Sequence, residues 1–199
     1  MGVKNTMQSV YVGLDLSLSA TGYFIIKENG NCPDYGEIKT KPNQFTCSIE
    51  RVEYIADEII KLIKDYEVKF ILLEDYFTGQ QQGTVIQLAV LGTIVRYKLL
   101  ENGYSYLTVA PTQIKKFTTG KGNVPKDNML KSVFKNYNFD TSSNNIADAC
   151  AIAYLGKAFY DFSNGRKDFL KYELEVLKKV KKDRQIINPY KTTQEVKNA

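Results

Sequence analysis

From Val10 onward apolar and polar positions alternate: Val10, Val12, Leu14 and Leu16 interleave with Tyr11, Gly13, Asp15 and Ser17, the two-residue period of a strand. After a polar turn, Gly22 precedes a second β-rich run, Tyr23 to Ile26, and a weaker third strand near Tyr35 to Lys39 completes an antiparallel meander. The period then lengthens. Between residues 47 and 65, Ile49, Val52, Ile55, Ala56, Ile59, Ile60 and Ile63 recur at helical spacing. Lys69 to Leu73 (KFILL) is a short unbroken apolar run, the pattern of a strand buried on both faces. A polar loop from Thr78 to Gly83 leads into an apolar helix, about Thr84 to Glu101, which Asn102-Gly103 ends. Tyr104 to Ala110 is another strand, and Pro111 starts a loop with a short helix. A glycine-rich basic loop (TGKGN) follows, then helices from about Pro125 to Lys135 and from about Asn144 to Phe162. The predicted order is βββαβαβα with a helical tail, an α/β fold built on a mixed five-stranded sheet flanked by helices.

Length and charge divide the chain. Its 199 residues fit one compact domain, expected over residues 1–163, plus an appendage over 164–199. The appendage holds ten Lys/Arg against five Asp/Glu, whereas the first 163 residues hold 17 of each sign, so the whole net charge of +5 sits in the tail. A basic tail is an ordinary solvated face or a contact for nucleic acid, and charge alone leaves both readings open. No run approaches the roughly 18 apolar residues of a membrane helix, and MGVKNTMQSV has no apolar signal-peptide core, so a cytoplasmic protein without a membrane partner is expected. Cys32, Cys47 and Cys150 lie far apart with no CxxC spacing and read as incidental thiols.

The chain contains no histidine, which narrows its chemistry most. Ser-His and Cys-His nucleophile pairs and imidazole-ligated metals are excluded. Carboxylates, hydroxyls and lysines remain, and carboxylate oxygens suit hard cations such as Mg²⁺ and Mn²⁺. Asp15 falls on the strand face opposite Val12 and Leu14, beside Gly13 and Ser17, whose small size would let a phosphate backbone approach; taken alone it reads more readily as an acid capping the following turn. Glu74 ends the buried KFILL strand, where open α/β sheets hold ligands, although surface glutamates at strand ends are common. Asn145 and Asp148 stand three apart on one face of the last helix, either as polar groups of its first turns or as a pair facing a metal.

Together the three acids, in a βββαβαβα order, resemble the arrangement of ribonuclease-H-like nucleases, and four motifs carry the likeness further. VGLDLSLSATGY resembles the first motif of RuvC-type Holliday junction resolvases, and LLEDYF resembles the second, with Glu74 as ligand and Phe77 in the place of an aromatic wedge. APTQIKKFTTGKGNVPKDNM is similar to a segment in which two lysines, here Lys115 and Lys126, flank a glycine-containing loop that here carries Lys121. NNIADACAIA is similar to the last motif, an acid pair on a helix, except that Asn145 stands where the family usually shows Asp or His. An amide oxygen still ligates, but brings no charge. The likeness runs from about Val10 to Leu155 and leaves the tail uncovered.

This resemblance implies a Mg²⁺-dependent endonuclease, with Mn²⁺ as the alternative, that cuts branched DNA such as four-way junctions as a homodimer paired along the Thr84–Glu101 helix. It would work in the cytoplasm, or the host cytoplasm if phage-encoded. Phosphodiester hydrolysis without histidine needs a cation, and two carboxylate-bridged ions about 4 Å apart supply it. Asp15 would bridge them, Glu74 and Asp148 would each hold one, Asn145 would complete the ligands, and Lys126 would add positive charge near the scissile phosphate. DNA contacts are expected from Phe77, Lys115, Lys121 and Ser17, with Phe77 stacking on an unpaired base unless it is a core residue. The competing readings are a related nuclease acting on RNA or flaps, and a junction-binding protein whose catalysis Asn145 has weakened. A sugar-kinase fragment, which GLDLSLSATG also suggests, needs a longer chain.

Overall fold

The computed structural model describes residues 8–75, 82–184 and 186–189, with side chains described from residue 85 onward in the helix that begins at 82. The elements are β1 (Ser9–Asp15), β2 (Ala20–Lys27), β3 (Asp34–Lys39), α1 (Ser48–Ile63), β4 (Glu67–Glu74), α2 (Gln82–Glu101), β5 (Tyr106–Val109), α3 (Pro111–Thr119), α4 (Lys126–Tyr137), α5 (Asn144–Ser163) and α6 (Lys171–Asp183). They form one five-stranded sheet in the order β3-β2-β1-β4-β5. The β1–β2 and β2–β3 pairs are antiparallel, while β1–β4 and β4–β5 are parallel. The sheet is therefore mixed, as the patterning predicts.

Helices cover both faces. Val10, Val12, Leu14, Ile71 and Leu73 point to one side and pack with Val52, Ile55, Ile59 and Ile63 of α1 and Leu91, Val95 and Leu99 of α2. Tyr11, Phe24, Ile26, Phe70 and Leu72 point to the other and pack with α3 to α6. The alternation along β1 thus separates two cores rather than core from solvent. At the edge of the second core, Val176, Leu177 and Val180 of α6 are buried with residues of α3 and α5.

The controlling contact lies between α5 and the centre of the sheet. A methyl group placed on Gly13 of β1 would stand 2.2 Å from the carbonyl oxygen of Ala149 and 2.3 Å from the backbone nitrogen of Ala153. On Gly22 of β2 it would stand 2.2 Å from the carbonyl oxygen of Asn145. Backbone meets backbone at both places, and only glycine permits this. The helix answers with small residues: Ala147, Ala149, Ala151, Ala153, Gly156 and Ala158 all lie in its buried stretch. Gly13 was expected to leave room for a phosphate backbone; the space beside it is filled by α5.

Replacing Gly13 with alanine should push the helix off the sheet, because the opposing atoms are backbone and cannot rotate away. A loss on the order of 3 kcal/mol is expected, equivalent to a melting temperature roughly 6–12 °C lower. Thermal denaturation of Gly13→Ala checks this, and an unchanged midpoint would contradict the close approach.

Candidate active site

Asp15 and Glu74 are the last residues of two neighbouring parallel strands. The β1–β4 register places Leu14 opposite Leu73, so the next residues of the two strands, Asp15 and Glu74, come side by side on the face that α5 covers. Asp148 reaches the same place from above. Asn145 of α5 sits on Gly22, which is the antiparallel partner of Asp15, and Asp148 follows one helical turn later. Three acids distant in sequence thus share one end of the sheet. Ser143 fixes the start of α5, its hydroxyl accepting from the backbone N–H of Ile146 at 3.3 Å.

Electrostatics show how closely the acids crowd. Burial, and then the charge of Asp148, push the Asp15 carboxyl up to about 7, with Lys126 pulling the other way. Glu74 is pushed up to about 8 by burial and by Asp15 and Asp148, against the pull of Lys115. Asp148 is also raised by burial, against Lys126 and Lys115. Lys115 comes from α3, whose first turn closes as the Gln113 side chain accepts from the Ala110 backbone N–H at 3.1 Å. Lys126 is the first residue of α4. A lysine there opposes the helix dipole, and the neighbouring carboxylates offset that cost.

Not every expected residue joins this group. The amide nitrogen of Asn145 donates to Glu37 Oε1 at 2.7 Å, and the Ser143 hydroxyl donates to the same oxygen at 2.8 Å. The donor half of the Asn145 amide is therefore committed to β3, and only its carbonyl oxygen could ligate. Ser17 works within the β1–β2 turn, where its backbone carbonyl accepts from the Thr21 hydroxyl at 2.6 Å and its own hydroxyl lies 3.2 Å from that of Ser19. Lys121 is exposed in the α3–α4 loop, which the Thr119 hydroxyl ties by donating to the Lys121 carbonyl at 2.9 Å. Phe77 lies outside the described residues.

Two groups beside the site escaped the sequence reading. Glu37, paired with Lys39 at 3.0 Å, belongs to the least regularly patterned strand. Asp75, directly after Glu74, faces two guanidinium groups, Arg184 Nη1 at 2.7 Å and Arg96 Nη2 at 3.6 Å. Its charge beside the motif was the available signal, but the partners lie 21 and 109 residues away.

Among the described residues no three carboxylates close tightly enough to cage an ion unaided. Their chemistry nevertheless fits a divalent cation: hard oxygen donors, partly desolvated, whose repulsion a cation would relieve.

A mixed five-stranded sheet with acids ending its first and fourth strands and a third acid on the helix across them is a ribonuclease-H-like nuclease fold. Residues 11–155 match the family model described as crossover junction endodeoxyribonuclease RuvC. The chain belongs to that family. It is 31% identical over 127 residues to the RuvC of Fusobacterium nucleatum, covering 62% of this chain and 66% of the relative. It is 30% identical over 151 residues to that of Brachyspira hyodysenteriae, covering 72% and 91%. The Thermus thermophilus RuvC structure superposes with a TM-score of 0.65 at 20% identity, over 79% of this chain and 97% of that one. The same protein in complex with a Holliday junction substrate gives 0.64 at 17% identity, over 79% and 95%. The end of α5 and all of α6 lie beyond the family match.

The raised carboxyls make stability depend on pH. Asp15 and Glu74 hold their protons to about 7 and about 8 when folded, whereas unfolded carboxyls release theirs near pH 4. Between those limits the folded state binds more protons, so stability of the cation-free protein should fall as pH rises from about 5 to 8. Urea midpoints at pH 5, 6.5 and 8 should show this decline, and Asp15→Asn or Glu74→Gln should flatten it. A profile equally steep in the variants would remove these groups as its cause.

Proposed function

We propose that this protein is a divalent-cation-dependent endonuclease that resolves four-way DNA junctions as a homodimer. The convergence of Asp15, Glu74 and Asp148 at one end of the sheet, inside the matched region, carries this reading. A bound cation, Mg²⁺ or Mn²⁺ and two per site, would polarise the scissile phosphate and acidify the attacking water. Asp15, Glu74 and Asp148 would hold the cations, and the carbonyl oxygen of Asn145 would supplement them. A cation would displace the protons that burial and crowding keep on Asp15 and Glu74, so its affinity is expected to rise with pH. Lys126 and Lys115, already within electrostatic reach of the acids, place positive charge where the transition state gathers negative charge.

The remaining parts concern DNA and pairing. Phe77, three residues after Glu74, is assigned the stacking role at an opened base, and Lys121 and Ser17 are assigned contacts with the backbone near the site. Pairing along α2 is supported by its unequal cover: Ile86 is 63% exposed beside Ile49 of α1 at 54%. These two residues line a groove of about 430 Å³ with Phe45 and Val90. No helix among the described residues is long and apolar enough to cross a membrane, and the cytoplasm is the proposed place of action.

Gel assays of the purified protein on a mobile four-way junction and a matched duplex, with and without Mg²⁺, test the proposal. Cleavage of the junction alone, and only with Mg²⁺, is expected; equal cutting of both substrates would favour a general nuclease. Asp15→Asn, Glu74→Gln and Asp148→Asn should each abolish cleavage while junction binding persists, since ligands are removed and the basic surface is not. Wild-type cleavage by any one of them would remove that residue from the site. The bond that commits Asn145 to Glu37 favours one second reading, a junction-binding protein of weak catalysis. Binding without cleavage at every Mg²⁺ and Mn²⁺ concentration would establish it.

The basic tail is proposed to extend the DNA path. Lys179 of α6 lines a groove with Thr112, Gly122 and the Lys116–Glu175 ion pair (2.7 Å), next to the basic α3–α4 loop. Replacing Lys178, Lys179 and Lys182, all exposed, with glutamine should reduce the slope of log K against log salt by about 0.9 for each phosphate that the variant no longer neutralises. An unchanged slope would confine the tail to a structural role.

A further inference from the structure

The family match ends in α5, yet the chain continues through α6 and returns to the sheet beside the site. Ile187 pairs with Tyr106 of β5 by two backbone hydrogen bonds, 3.0 Å from the Tyr106 N–H and 2.9 Å from the Ile187 N–H. The Ser105 hydroxyl donates to Asn188 Oδ1 at 3.0 Å. This pairing is antiparallel. Arg184 precedes Ile187 by three residues and reaches the carboxyl end of β4, where Asp75 stands. Arg184 is itself extended, at φ −132° and ψ 149°. Its guanidinium crosses to Asp75, Nη1 to Oδ2 at 2.7 Å.

Asp75 is the residue after Glu74, and it is held from three sides. Its backbone N–H donates to the Val109 carbonyl at 2.7 Å, extending the β4–β5 ladder past Glu74. Arg96 of α2 approaches its other oxygen, Oδ1, at 3.6 Å. The three side chains are only 22–33% exposed, so the interaction is less screened than a surface ion pair. Asp75 joins β4, β5, α2 and the tail at the point where the chain leaves the sheet.

We infer that the tail is a strap for the active site: Arg184, acting through Asp75, is a positioning residue that holds the end of β4 so that Glu74 keeps its place beside Asp15 and Asp148. This rests on the nuclease reading above, since it treats Glu74 as a cation ligand. Crowded carboxylates repel, and Glu74 is the last residue of its strand, so its position needs an anchor outside the trio. The Asp75 clamp is that anchor. Without it the strand end relaxes away from the other acids, and the cation meets a site that must first be reassembled.

The test compares wild type with Arg184→Gln, Arg184→Lys and Asp75→Asn at pH 8 in two Mg²⁺ titrations, one following thermal stabilisation and the other junction cleavage. Arg184→Gln should raise the Mg²⁺ concentration for half-maximal effect about 10-fold in both, the low end of the loss seen when supports of metal ligands are removed. Cleavage at saturating Mg²⁺ should return towards the wild-type rate. Arg184→Lys should recover part of the shift, and Arg184→Gln added to Asp75→Asn should shift it no further. A melting temperature lowered equally at every Mg²⁺ concentration, with the half-maximal concentration unmoved, would show that the strap only seals the sheet and would overturn the inference. A wild type that binds Mg²⁺ but cuts no junction would overturn the nuclease reading and leave the stabilisation titration to judge the strap. A wild type indifferent to Mg²⁺ in both titrations would overturn both.

Discussion

A helix can lie with its backbone against a sheet only where the sheet offers no side chain. Gly13 and Gly22 provide two such places on adjacent strands, and the carbonyls of Ala149 and Asn145 occupy them. The helix is thereby fixed in height, in rotation and along its axis, because both contacts are backbone to backbone. Asp148 inherits its position from this contact: it lies between the two seated residues, and its carboxylate is carried over the end of β1. A side chain at either glycine would act on the carboxylate trio at a distance, through the frame that holds it.

The trio makes the opposite demand. The two parallel strands and the helix bring Asp15, Glu74 and Asp148 to one end of the sheet, where Asp148 raises the protonation range of Asp15 and both raise that of Glu74. Lys126 relieves part of the repulsion at Asp15, Lys115 at Glu74, and both at Asp148. Glu37 draws the amide of Asn145 towards β3. The fold thus supplies rigidity where charge would push groups apart, and the packing beneath the site sustains an arrangement that its own electrostatics oppose.

The strand–helix order was legible because each change from a two-residue to a helical period coincides with a polar or glycine-containing break. Asp15 and Glu74 were legible because each interrupts or ends an apolar strand, and Asp148 because it enters an otherwise apolar helix. What escaped depends on partners far along the chain. Ser17 carries no mark that distinguishes a turn-forming hydroxyl from one facing a phosphate. Glu37 lies in an edge strand where alternation is weak, and its partners sit 106 and 108 residues later. Asp75 and Arg184 are each ordinary charged residues, and only the path of the tail back to β5 makes them a pair. The tail's excess of lysine was visible; its buried stripe of Val176, Leu177 and Val180 was hidden among those charges.

The open flanks of the sheet are treated unequally. A bare edge presents unpaired amide and carbonyl groups to any extended chain, including another copy of the same protein, and is a seed for aggregation. On the β3 flank Asp34, Glu37 and Lys39 set charge along the strand, which discourages an incoming partner. The β5 flank, YLTV, has no charge of its own, and there the chain's own residue Ile187 takes up the backbone groups of Tyr106. Loss of the last residues after α6 would therefore expose a short, apolar, uncharged strand, and the harm would be felt as poor solubility during synthesis before any defect in chemistry could be measured.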